Sequence, residues 1–181
     1  MTKYGLLIID VQNDYFSGGK MVLHEPEKAL HHIQQLEHDF KSKNLPIIYI
    51  QHINIQPNPA FFEKGTDGVA LHSELSLQDN SVIIEKHFPN SFFQTKLQAT
   101  LDQLEVDTLV ITGMMTHMCV DSTTRAAAEL GYNPVLIHNA TATRNLAFNE
   151  NNVQANDVQN AFISSLSNFS TVMSTDDWIK A

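Results

Sequence analysis

The sequence predicts an α/β protein of three layers, a doubly wound, six-stranded and mostly parallel sheet with helices on both faces. Three observations carry this. Six short apolar runs recur along the chain, helical patterns separate most of them, and the runs are β-branched and almost continuously apolar. A strand buried on both faces reads that way, whereas a half-exposed antiparallel strand alternates.

The first run, YGLLIID (4–10), is followed by PEKALHHIQQLEHDFKSKN, where Pro26 stands at a natural helix start. PIIYIQ (46–51) gives the second strand. The stretch 53–80, containing NIQPNPAFFEKGTDG, has no periodicity and reads as an irregular insertion placed to cover a site. SVIIEK (81–86) is the third strand and SFFQTKLQATLDQLE (91–105) the next helix. DTLVITG (107–113) and THMCVDSTTRAAAELG (116–131) follow as strand and helix, with Gly131 as the stop. PVLIHNA (134–140), an asparagine-rich helix over about 151–168 and STVMS (170–174) complete the pattern. Regular alternation of strands and helices implies right-handed crossovers and a parallel sheet. At 181 residues the chain suits a single domain, 1–181.

Composition narrows the function classes. The chain is 43% hydrophobic and 17% charged, which is ordinary for a folded globular protein. Its formal net charge is −9, and Arg125, Arg144 and the dispersed lysines form no basic stripe, so nucleic acid is excluded as the expected partner. The N-terminal run lacks the pattern of a secretory signal and no run is long enough to span a bilayer, so neither membrane nor export is expected. A lone cysteine, Cys119, forms no internal disulfide and fits a reducing, cytoplasmic setting.

In an open parallel sheet, ligands bind beyond the carboxyl ends of the strands, near the point where strand order reverses. Asp10 closes the first strand, Lys86 closes the third, and Cys119 lies just past the fourth, in TGMMTHMC. Each has a bland explanation by itself. An aspartate caps a loop, a lysine snorkels from a sheet edge, and a cysteine packs as a small hydrophobe. An acid, a base and a thiol at one edge form a combination that chance seldom supplies. Thr116 is a suitable N-cap, which puts Cys119 in the first helical turn, where exposed N–H groups favour a thiolate.

These residues resemble the isochorismatase-like cysteine hydrolases, a family that includes nicotinamidases and other small amidases. LLIIDVQNDY is similar to the aspartate motif, EKHFPNSFFQTKL to the lysine motif and TGMMTHMCVDSTTRAAAELGY to the cysteine segment, so that the match runs through nearly the whole chain. The resemblance implies that Asp10 is the general base, Lys86 an electrostatic partner and Cys119 the nucleophile. It further implies a cis peptide between Met114 and Met115, and an oxyanion hole made by the amides of Met115 and Cys119. The reaction so implied is hydrolysis of a small amide or related C–N bond through a thioester, without an organic cofactor, in a homodimer or homotetramer.

Two features set this chain apart within the resemblance. Nicotinamidases carry an Asp-x-His pair at the end of the second strand, plus a further histidine, to hold a metal. Here the segment reads YIQHIN, with Gln51 directly before His52 and no carboxylate two residues earlier, so no metal site is expected. True isochorismatases lack the cysteine, and Cys119 points away from vinyl ether cleavage. Phe16, His52 and His117 are candidate substrate contacts, with His52 equally readable as hydrogen-bonded structure. Phe61, Phe62 and Phe92 are candidate walls for which core packing is the simpler role, and His87 is open between pocket and surface. The remaining histidines, His24, His31, His32, His38, His72 and His138, show no metal-ligand spacing. Other classes remain as alternatives: nicotinamidase, a redox-responsive thiol protein on the same Cys119, or a non-catalytic binding scaffold. A dinucleotide-binding protein would need G-x-G-x-x-G after the first strand, where DVQNDYFSGG stands instead.

Overall fold

The computed structural model describes residues 2–181. Its main sheet has six strands, β1 (Tyr4–Ile9), β2 (Ile47–His52), β3 (Val82–Lys86), β4 (Thr108–Met114), β5 (Asn133–Ala142) and β8 (Thr171–Met173). They lie in the order β3-β2-β1-β4-β5-β8, and every neighbouring pair is parallel. All six apolar runs of the sequence therefore become strands of one sheet.

Parity along β1 explains the layers. Leu6 and Ile8 point into one core with Leu30, Ile33, Leu36 and Phe40 of α1 (Pro26–Ser42), while Leu7 and Ile9 point into a second core. The second core holds Leu97 and Leu101 of α2 (Leu97–Gln103), Ala127 of α3 (Asp121–Glu129) and Leu166 of α4 (Ala155–Leu166). Side chains alternate faces along a strand, so a continuous apolar run fills both layers at once. Each fully buried Leu or Ile contributes roughly 1.5–3 kcal/mol of transfer free energy. Trp178 of α5 (Thr175–Lys180) closes the first core against Phe40, its ring stacked at 5.7 Å.

Three elements depart from expectation. The helix read over 91–105 begins only at Leu97, because Gln94 takes a left-handed φ of 56° and Ser91 is drawn into hydrogen bonds with Thr123 of α3. The asparagine-rich segment opens as a strand, β7 (Asn151–Val153), paired antiparallel with β6 (Leu146–Phe148), and α4 starts after it. The helix expected from Thr116 begins with a π turn over Thr116–Val120, in which the Val120 amide donates to the Met115 carbonyl, and α3 proper starts at Asp121.

β1 and β4 are the central pair, and the strand order reverses between them. Gly113 makes their close approach feasible. It has φ 118°, and a Cβ there would lie 2.0 Å from the Ile9 carbonyl oxygen. Among the described residues, no helix is long and apolar enough to cross a membrane.

Candidate active site

Three strand ends deliver the chemistry. Asp10 follows β1 with a left-handed φ of 52°, and its amide donates to the Ile50 carbonyl, so the side chain is fixed at the carboxyl end of the sheet. Lys86 ends β3, and its register partner on β2 is His52. The lysine stem spans the end of β2, and Nζ lies 2.9 Å from Asp10 Oδ2. Both side chains are fully buried. Lys86 Nζ also donates to the Pro89 carbonyl at 2.9 Å, whereas Asp10 Oδ1 has no hydrogen-bond partner among the described residues. Cys119 comes from the π turn after β4 and is buried.

His52 completes the cluster. Its Nδ1 is 3.7 Å from Asp10 Oδ2 and 3.9 Å from Cys119 Sγ. The sequence-expected trio is thus brought together, with His52 added to it. Carboxylate, imidazole and thiol donors of Asp10, His52 and Cys119 lie within 4.8 Å of one another, a spacing that could hold a metal ion, but the Lys86 ammonium already supplies a cation at Asp10. The metal set of nicotinamidases does not fit these residues, because the Gln51 amide is spent on the Val69 carbonyl at 2.9 Å and offers no anionic ligand.

Protonation follows from burial and charge. Burial alone would raise Asp10, but the Lys86 charge and the His52 contact outweigh it and hold the carboxyl below its ordinary value. Burial would lower Lys86, but the charges of Asp10 and Cys119 raise it above its ordinary value. For Cys119, burial comes first, the Asp10 charge acts in the same direction and Lys86 opposes both, so the thiol is pushed well above its ordinary range. The resting trio is carboxylate, ammonium and thiol. Burial thus opposes the thiolate that a helix's first turn favours. The expected capping role of Thr116 is corrected, since its hydroxyl donates to Gln159 Oε1 of α4 at 2.7 Å instead of capping the turn.

Residues to which the motifs assign no role hold this arrangement. Gln12, fully buried, accepts from the His52 amide at 2.8 Å and donates to the carbonyls of His52 and Val69 at 2.9 and 2.7 Å. Asp14 accepts from the amides of Phe62 and Lys20 at 2.6 and 3.0 Å, and pins the insertion to the end of β1. A Cβ on Gly68 would fall 2.2 Å from Asp14 Oδ1, so the loop passes there only as glycine. Gln159 ties the π turn to β5 by donating to Thr141 Oγ1 at 2.8 Å and the His138 carbonyl at 3.1 Å. The polar, buried character of DVQND was the available signal, since buried amides and carboxylates are retained where they hold backbone groups.

The remaining expectations divide. Phe62 is buried between Tyr15, at 4.6 Å, and His52, at 5.9 Å, and Phe61 packs on both Tyr15 and Phe62. Phe16 lies tilted against His72, ring centroids 4.2 Å apart, and Phe92 stacks on Tyr132. His117 Nδ1 is 2.6 Å from Thr143 Oγ1, with its ring against Phe162. Burial, then the nearby Arg144 charge, lower His117 to about 4, so its imidazole is neutral at neutral pH. His87 is exposed and its Nδ1 lies 2.8 Å from the Ile53 carbonyl of the insertion. The Met114–Met115 peptide is cis, as the resemblance implied.

Comparison with known proteins agrees with this fold. The isochorismatase domain model matches residues 4–177. YddQ, an uncharacterized isochorismatase family protein of Bacillus subtilis strain 168, is 40% identical over 97% of this chain and 98% of its own. The crystal structure of a candidate isochorismatase hydrolase from Oleispira antarctica superposes with a TM-score of 0.95 at 39% identity, covering 99% of this chain and 97% of that one. Streptothricin hydrolase from Streptomyces noursei is 31% identical over 76% of this chain and 49% of its own. The chain belongs to the isochorismatase family of hydrolases.

Proposed function

We propose that the protein is a cysteine hydrolase that cleaves a C–N bond in a small amide or ureido substrate through a thioester on Cys119. The observation that carries this reading is the buried Asp10–Lys86 ion pair at 2.9 Å beside the thiol. A buried ion pair is weak evidence of stabilisation alone, and its placement against a nucleophile gives it a chemical use.

Sγ attacks the carbonyl carbon as the thiol proton leaves towards Asp10, and the carbonyl π pair moves to oxygen. The amides of Met115 and Cys119 receive that oxyanion. Asp10 then protonates the leaving nitrogen as the C–N bond breaks and the carbonyl re-forms as a thioester. Water attacks the thioester, gives one proton to Asp10, and the C–S bond breaks with return of a proton to sulfur. The products are an acid and an amine or ammonia. Lys86 keeps Asp10 ionised between steps and balances the charge that develops on sulfur.

The relative named for hydrolysing streptothricin supports hydrolysis as the reaction type. Against the redox alternative, the thiol is buried and held protonated, and oxidation selects exposed thiolates. We further place the enzyme in the cytoplasm as a homodimer or homotetramer, on the resemblance and the lone cysteine. The test is a panel of small amides, nicotinamide, ureido compounds and hydroxamates scored for release of ammonia, amine or hydroxylamine. Wild-type protein should turn over at least one compound, with trapping of a thioester on Cys119, and Cys119→Ala should not. Unchanged turnover in Cys119→Ala removes the nucleophile.

A further inference from the structure

We propose that His52 is a fourth catalytic residue, a proton carrier between Cys119 and Asp10. The inference rests on the reading of Cys119 as nucleophile, and it assigns His52 to chemistry, where the sequence pointed to substrate contact.

Geometry is the first ground. One ring atom, Nδ1, faces both reacting partners, 3.9 Å from Cys119 Sγ and 3.7 Å from Asp10 Oδ2. These separations are longer than a formed hydrogen bond. They lie within the adjustment that catalytic contacts make when substrate closes a site. The ring is largely buried, with 14% of the side chain exposed, next to a fully buried carboxylate and a buried thiol.

The second ground is how much of the fold is devoted to holding this residue. Gln12, fully buried, spends its whole amide on the insertion and on His52: its oxygen accepts from the His52 amide and its nitrogen donates to the His52 and Val69 carbonyls. The register pairing of His52 with Lys86 fixes the residue from the other side, and the Phe62 ring lies 5.9 Å from the imidazole. Gln12 and Asp10 sit two residues apart after β1, so the base and the clamp of its partner are set by one short segment.

The third ground is chemical matching. Lys86 makes Asp10 a weak base, while burial makes Cys119 a weak acid, and direct transfer between them is steeply uphill. The imidazole between them, with Nδ1 facing both, offers a relay in place of that direct transfer. In acylation, the C–S bond forms as the thiol proton moves to Nδ1 and the carbonyl π pair moves to oxygen. The imidazolium so formed lies beside the Asp10 carboxylate, passes the proton to Oδ2, and Asp10 delivers it to the leaving nitrogen as the C–N bond breaks. In deacylation, water adds to the thioester carbon and gives one proton to Asp10 Oδ2 as the C–O bond forms; the proton passes through Nδ1 to sulfur as the C–S bond breaks, which releases the acid and restores the thiol. No co-reactant beyond substrate and water is needed.

The experiment uses p-nitrophenyl acetate as an acylating probe on the full-length protein, with p-nitrophenolate release followed in the first turnover and acetylation of Cys119 confirmed by intact mass. His52→Ala and His52→Gln are both examined, because the Gln12 clamp engages only the His52 backbone and survives either change. The expected result is acylation slower by about 100-fold or more in both variants, with half-saturation within about threefold of wild type. Added imidazole should restore Cys119 acetylation in His52→Ala in a dose-dependent way, and His52→Gln, whose side chain fills the space, should not respond. The double variant His52→Ala/Cys119→Ala corrects for hydrolysis by imidazole itself. Wild-type acylation rates in His52→Ala would overturn the proposal, and so would a loss confined to half-saturation, which is the signature of substrate contact. A slowed variant with native circular dichroism but no response to imidazole would overturn it too. Absence of Cys119 acetylation in the wild-type protein would instead remove the nucleophile on which the inference rests.

Discussion

Replacing Lys86 by methionine isolates the electrostatics of the site, because Met matches the stem of the lysine and removes only the charge. At 2.9 Å the gross attraction between Lys86 Nζ and Asp10 Oδ2 is about 6 kcal/mol for an effective dielectric constant near 20. Desolvating both groups offsets much of this in the wild-type protein. In Lys86→Met the Asp10 carboxylate stays fully buried with no cation against it. Removing one member of a buried pair costs about 3–5 kcal/mol, a large share of a typical domain's total of roughly 5–15 kcal/mol. Without Lys86, burial dominates and Asp10 moves above its ordinary value, so the folded variant takes up a proton more readily than the unfolded chain. The deficit is therefore greatest at neutral pH and shrinks as pH falls through the raised Asp10 value. The assay is urea unfolding at pH 7 and near pH 5 for wild type, Lys86→Met, Asp10→Asn and the double variant, which should recover most of the loss. A Lys86→Met variant within about 1 kcal/mol of wild type at pH 7 would refute the reasoning. A double variant no more stable than Lys86→Met would do the same.

The other expectations use different readouts. In Asp10→Asn the thiol should titrate at lower pH than in wild type, since burial remains but the second cause of its elevation is gone, while turnover falls by about 100-fold or more. Thiolate absorbance against pH and the rate on any accepted amide check both halves, and an upward move of the thiol contradicts the assignment. Arg144→Gln should let the His117 midpoint climb from about 4 while leaving it below the ordinary histidine value of 6.5, because burial is the larger cause. Imidazole proton resonances followed through a pH titration read this directly, and an unmoved midpoint shows that the Arg144 charge is not felt. Gly113→Ala should lose several kcal/mol or fail to fold, since its Cβ would meet the Ile9 backbone at 2.0 Å with φ 118°. Thermal unfolding settles it, and near-wild-type stability means that β1 and β4 can separate at little cost.

Much of this was legible in the sequence for a physical reason. Runs such as GLLII and TLVIT fill both layers of a parallel sheet, so the apolar pattern alone places the strands, and their carboxyl ends place Asp10, Lys86 and Cys119 at one edge. What escaped was polar or conformational. Leu146–Val153 forms an exposed hairpin whose residues have no apolar period, and the same asparagines read as a helix start. SFFQTK looks helical, but Gln94 turns left-handed and Ser91 pairs with the distant Thr123, neither of which a local pattern shows. The thiol's protonation depends on burial contributed by several elements, and the local argument from a helix start pointed the other way. The polar run DVQND marked Gln12 as unusual, but its role as a clamp escaped because a clamp is defined by its partners, His52 and Val69, 40 and 57 positions away.

The insertion has a practical implication. Asp14, Gln12 and Gly68 fasten it at Phe62, Val69 and the glycine itself, while the arc Ile55–Asn58 is exposed and is not reached by those side chains. A protein built this way separates what must stay from what is free to vary. Residues at the fastening points hold the backbone beside the cluster of Asp10, Lys86 and Cys119, and exchange of the exposed arc as a cassette is expected to leave that cluster in place. Length and composition libraries belong in that arc, with the five-residue stretch 10–14 left intact as the chassis.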